Sequence, residues 1–86
     1  MSYTIVLRPN ARKAFHELPG DMHDRVEAAL DALAENPRAG DTKKLQGRLR
    51  GLIRLRVGYY RVLYLVDEPS RTLDVLKIGP RGGFYD

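Results

Sequence analysis

Apolar and polar positions recur with two different periods along this chain, and the change of period divides it. Tyr3 to Arg8 (YTIVLR) concentrates β-branched and aromatic residues and reads as a first strand. Pro9 brings the fixed φ favoured in the first turn of a helix, which the pattern carries to about Leu18 before Pro19-Gly20 interrupts it. A second helix is predicted from near Asp21, whose carboxylate can cap the free amides at its start. Its Met22, Val26, Leu30 and Leu33 form one helical stripe, and Asn36-Pro37 ends it. So short a connection makes the two helices an antiparallel hairpin. Arg38 to Gly51 is expected to be a basic, glycine-containing loop. Beyond it lie three runs of β character, Leu52 to Val57, Tyr59 to Val66 and Thr72 to Ile78, separated by Gly58 and by Asp67-Glu68-Pro69-Ser70. The expected fold is α+β: an N-terminal strand, an antiparallel helix hairpin, then a three-stranded antiparallel meander forming one sheet.

Alternation within the strands predicts which side chains share a face. Ile53, Leu55 and Val57 point one way, and Leu52, Arg54 and Arg56 the other. A two-residue turn at Gly58-Tyr59 pairs Val57 with Tyr60, Leu55 with Val62 and Ile53 with Tyr64, which gathers the apolar sets under the helices. The same register sets Arg56 opposite Arg61 on the far face, with Arg54 close by. On the last strand Leu76 and Ile78 are expected to face the helices and Lys77 the far side. Like charges opposed across a strand pair repel. One such arginine reads as an edge charge or as a long stem covering apolar surface. Arg54, Arg56, Arg61 and Lys77 together favour a face that grips phosphate.

Charge along the chain strengthens that reading. Fifteen Lys and Arg against eleven Asp and Glu give a net charge of +4. From Thr42 to Val66 there is no acidic residue, yet Lys43, Lys44, Arg48, Arg50, Arg54, Arg56 and Arg61 all fall there. A merely solvated surface mixes its signs, so this half is expected to meet nucleic acid. Eighty-six residues, 43% of them apolar, make a single domain over 1–86. The absence of cysteine removes disulfides and Cys-type zinc sites, and His16 and His23 are too few for a His-based metal site. The first residues are unlike a signal peptide and no apolar run reaches membrane-spanning length, so a cytoplasmic location is expected. Tyr59 can stack on a base or serve hairpin packing. Gly82-Gly83 allows Tyr85 either to fold back and offer a phenol or to belong to a tail packed on the core.

In order, the opening strand, the helix hairpin ending in Asn36-Pro37-Arg38, the segment Lys44-Leu45-Gln46-Gly47, the run from Leu52 to Tyr64 (LIRLRVGYYRVLY) and Gly79-Pro80-Arg81 resemble the RelE/ParE toxin superfamily along nearly the whole chain. The resemblance implies the toxin of a type II toxin–antitoxin system, neutralised by a cognate antitoxin, acidic and partly disordered. RelE-like members cleave mRNA in the ribosomal A site, whereas ParE-like members inhibit DNA gyrase. ParE-like chains more often carry a histidine after the last strand, where this one has Pro80-Arg81. The implied activity is therefore a ribosome-dependent mRNA endoribonuclease without metal or cofactor, with gyrase inhibition and non-catalytic nucleic-acid binding as the alternatives. By position Arg54, Arg61, Arg81 and Tyr85 match the RelE-type catalytic residues. Lys43, Lys44, Arg48, Arg50, Arg56 and Lys77 are expected to bind the RNA and the ribosome. RelE-type sites often have two lysines on the second strand, where this chain has Leu52 and Arg54. Arginine stays protonated, which makes Arg54 a poor general base.

Overall fold

A computed structural model describes residues 2–85 of the chain. The order of elements is β1 (Thr4–Leu7), α1 (Pro9–His16), α2 (Gly20–Glu35), β2 (Asp41–Lys44), a short 3-10 turn (Gly47–Leu49), β3 (Ile53–Val57), β4 (Tyr60–Asp67) and β5 (Thr72–Pro80). The sheet runs β1-β5-β4-β3-β2, antiparallel except for the parallel pair β1–β5. The α+β plan and the helix hairpin are as expected, but the sheet among the described residues has five strands rather than four. The additional strand, Asp41–Lys44, lies inside the stretch expected to be loop. It has no apolar residue to announce it, and forms because its backbone satisfies the open edge of β3.

Helix limits follow local chemistry. Proline at the first position starts α1, and α1 stops at His16 rather than Leu18 because the residue before Pro19 is pushed away from helical φ/ψ. Asp21 does not cap α2. Pro19 occupies the capping position without a side-chain bond, and Asp21 sits in the first turn, where its charge complements the helix dipole. Ala11 and Phe15 of α1 and Val26, Leu30 and Leu33 of α2 bury against Ile53, Leu55, Val57, Val62, Tyr64, Leu73, Val75 and Ile78 of the sheet. Each large aliphatic in this layer contributes roughly 1.5–3 kcal/mol of burial. Tyr64 is fully buried, and its hydroxyl donates to the carbonyl of Pro37 at the end of the helix hairpin.

The β3–β4 register is the expected one: Val57 pairs with Tyr60, Leu55 with Val62, Ile53 with Tyr64 and Arg56 with Arg61. On β5 the expectation fails at one residue. The register shifts between Leu63, opposite Lys77, and Tyr64, opposite Val75, so Leu76 is the extra residue of a bulge and does not enter the core. Its carbonyl instead accepts a hydrogen bond from Asn10 Nδ2 at 3.2 Å. Leu73 and Val75 before the bulge and Ile78 after it keep the helix side apolar, and Lys77 lands beside Leu63 on the far face. No helix among the described residues is long and apolar enough to cross a membrane.

Candidate functional site

The face of the sheet opposite the helices carries the cations. Arg54 and Arg56 project there from β3, Arg61 from β4, Lys77 from β5 and Lys43 from β2, since Lys43 pairs with Arg54. Gly79 pairs with Arg61, and its missing side chain leaves room for the chain to turn back over this face. The ring of Phe84 fills that room, 3.6 Å from where a Cβ on Gly79 would stand, and is buried together with Leu63 outside the main core.

That anchored phenylalanine fixes the tail beside the cations. Lys77 donates its ammonium to the Phe84 carbonyl and lies 4.9 Å from the centre of the Phe84 ring. Arg48, from the 3-10 turn, donates to the Tyr85 carbonyl at 2.7 Å. Tyr85 stands edge-on to Phe84 and is exposed, so its phenol is presented to solvent next to the sheet. Phe84 thus packs, but on the far face of the sheet rather than on the core, and Tyr85 is left exposed beside it.

Each arginine is held differently. The guanidinium of Arg61 curls over the β3–β4 turn and donates to the carbonyls of Gly58 at 3.3 Å and Tyr60 at 3.2 Å. Arg81 continues the ladder, donating its amide to the Tyr59 carbonyl at 3.0 Å, and its guanidinium stands 5.8 Å from the Tyr59 ring centre. Arg56 is paired with Asp41 at 2.6 Å, and the same carboxylate lies 4.0 Å from Arg54. Asp41 is the counter-charge of this face, and its place in the sequence does not announce it. It sits just before the acid-free stretch, and only the pairing of β2 with β3 brings it opposite Arg56. Lys43, Lys44 and Arg50 make no side-chain hydrogen bond or ion pair among the described residues. Lys44 and Arg50 line a cavity of about 570 Å³ with Pro37, Leu45, Leu52 and Val66, at the end of the sheet remote from the Gly58 turn.

The structure thus brings Arg54, Arg56, Arg61, Lys77, Arg81 and Tyr85 to one face and its turn end, and leaves Lys44 and Arg50 at another end. Among the described residues the one cluster with metal-ligand chemistry is His23, Asp24 and Glu27 on α2, in the helix layer, where the imidazole stacks on Phe15 at 4.3 Å. It takes no part in the cationic face. What fixed guanidiniums, an ammonium and a phenol around an open sheet can do together is bind and stabilise phosphoryl oxygens.

Comparison with known proteins identifies the family. The ParE toxin family of type II toxin–antitoxin systems (parDE) matches residues 5–83. Toxin RelG of Mycobacterium tuberculosis is 34% identical over 87 residues, covering 99% of this chain and 98% of that one. The toxin–antitoxin complex RelBE2 of the same organism contains a chain 32% identical, with a TM-score of 0.82, covering 94% of this chain and 100% of that one. The archaeal RelE–RelB complex of Pyrococcus horikoshii OT3 gives 32% identity and a TM-score of 0.83 over 96% of this chain and 99% of that one. The isolated Escherichia coli RelE toxin, at 21% identity and a TM-score of 0.79 over 92% of this chain and 84% of that one, shares the fold. The chain therefore belongs to the ParE toxin family and is a RelE-like toxin of a type II toxin–antitoxin system.

Proposed function

We propose that this toxin acts in the cytoplasm as an endoribonuclease that cleaves mRNA on the ribosome, and that an acidic, partly disordered antitoxin neutralises it by covering the cationic sheet face. The observation that carries the reading is the gathering of Arg61, Arg54, Lys77, Arg81 and Tyr85 around one open face. RNA supplies its own nucleophile, the ribose 2′-hydroxyl beside the scissile phosphate. Its oxygen attacks the phosphorus to form a 2′,3′-cyclic phosphate as the bond to the 5′-oxygen breaks, the 2′-hydroxyl giving up a proton and the departing oxygen gaining one. The charge that builds on the phosphoryl oxygens is stabilised by preorganised guanidiniums. Arg61 and Arg54 take that role, Arg61 because its turn contacts fix the guanidinium and Arg54 because its side chain is only 14% exposed. Arg81 stabilises charge on the leaving side, and Tyr85 stacks on a base or relays a proton. Lys77 and Arg56 add positive charge beneath the RNA, while Lys43, Lys44, Arg48 and Arg50 contact the ribosome. The ribosome positions the substrate, so the chain itself needs few acid–base groups.

Gyrase inhibition is the second reading, favoured by the ParE description of the matched family. Purified toxin added to a translation reaction, with primer extension along the mRNA, separates the two. Cuts within A-site codons are expected. Intact mRNA together with loss of gyrase supercoiling activity would reverse the assignment.

A further inference from the structure

We propose that Tyr59 is a nucleobase platform, a positioning residue that stacks on the base next to the scissile phosphate and sets which codons are cut. This deepens the mRNA-cleavage reading and rests on it. Tyr59 is 57% exposed, against 39% for Val6, 38% for Leu65 and 37% for Tyr85, the other exposed large apolar residues among those described. The turn does not call for it. Gly58 takes the left-handed conformation with φ +58°, and Tyr59 is not among the residues with positive φ, so the second turn position accepts any short polar side chain. Its contacts with Tyr60 and Arg81 still leave more than half of the residue open to water.

Its surroundings suit a base. The Arg81 amide clamps the Tyr59 carbonyl, and the ring of Tyr60 meets it edge-on with centres 6.1 Å apart at 83°, so the platform is braced before RNA arrives. On one side stands the Arg81 guanidinium, and the Arg61 guanidinium grips the carbonyl of the preceding Gly58. A base stacked on Tyr59 therefore has its own phosphate within reach of Arg61, assigned to the phosphoryl oxygens, and of Arg81, assigned to the leaving side. Stacking is tolerant of base identity but stronger for purines, and this is how an aromatic ring converts contact into preference.

The test uses ribosomes carrying mRNA with 2-aminopurine in the A-site codon and a 2′-O-methyl group at the scissile position, which blocks cleavage. Stacking quenches 2-aminopurine. The parent and Tyr59→Phe should both quench it. Tyr59→Leu should abolish the quench and weaken toxin binding roughly ten-fold, within the range for removal of one base–aromatic stack. On unblocked mRNA, Tyr59→Leu should raise KM more than it lowers kcat and should flatten the codon preference. If the parent neither quenches nor cleaves, the mRNA reading itself fails. If the parent cleaves and Tyr59→Leu keeps both quench and codon pattern, the platform alone is overturned. The platform also falls if Tyr85→Leu, rather than Tyr59→Leu, removes the quench, or if Tyr59→Leu weakens only the antitoxin complex.

Discussion

Asp41 changes the meaning of the opposed pair Arg56–Arg61. Without it two guanidiniums face one another across a strand pair. With it Arg56 is already paired at 2.6 Å, and Arg61 is turned toward the Gly58–Tyr60 backbone. Replacing Arg61 by Leu should therefore leave stability unchanged or raise it by a few tenths of a kcal/mol, the scale of cross-strand pairs. Cleavage should fall about 100-fold, as for removal of an oxyanion-type donor. Asp41→Asn should expose the repulsion and destabilise by about 0.5 kcal/mol, and Arg61→Leu should relieve it. Thermal melts of the two single variants and the double variant check this: additive effects would show that Asp41 does not shield the pair. Tyr64 gives a separate, pH-dependent signal. Burial pushes its phenol from the ordinary 10.0 up to about 12. The unfolded chain then loses its proton first as pH rises, so it binds fewer protons than the native chain, and stability falls between about pH 10 and 12. Below that window both states hold the proton and the term is constant. The loss in melting temperature across this window should be smaller in Tyr64→Phe.

Among the elements, those with a strong period were legible and those made by pairing or docking were not. The register of the β3–β4 hairpin could be read to the residue, because Gly58 punctuates two alternating apolar sets that permit one pairing, although each strand begins one residue later than its apolar run. The second helix was readable from its apolar stripe. Strand β2 was not, since Asp41-Thr42-Lys43-Lys44 has no apolar alternation and owes its form to its partner. The bulge at Leu76 was hidden because Val75-Leu76 offers two adjacent apolar residues, either of which fits an inward position. The candidate cations of the sheet were legible from strand alternation and charge together, whereas the counter-charge of Asp41 and the docking of Phe84 needed the fold. The tail should accordingly matter to stability as well as to activity. Phe84→Ala should lower stability by about 3 kcal/mol, the low end for a buried phenylalanine, while Tyr85→Ala should melt like the parent but cleave more slowly. Denaturant titration with the cleavage assay distinguishes them. Equal stability of Phe84→Ala and the parent would mean that the tail is not docked.

For the whole molecule, charge is divided between two regions: the far face and turn end, and the remote end with Lys44 and Arg50. If both meet RNA, affinity for programmed ribosomes should fall linearly on a log–log plot against salt. Removing Lys44 and Arg50 together should reduce the magnitude of the slope by about 2, one for each phosphate no longer neutralised. A slope unchanged by the double substitution would confine RNA binding to the arginine face.

Strand order carries one more consequence, for the timing of synthesis. The latest strand, β5, lies between β1 and β4, and β1 has no other strand partner among the described residues. While β5 is still inside the ribosome, the nascent chain lacks Leu73, Val75 and Ile78 from its core and Lys77 from its cationic face. The opening strand has nothing to pair with, and long-range pairing of this kind closes slowly. A ribosome making the toxin thus carries an unformed weapon, and chains stalled at Ser70 should be digested rapidly by protease where chains extended far enough beyond Tyr85 to release β5 from the ribosome resist.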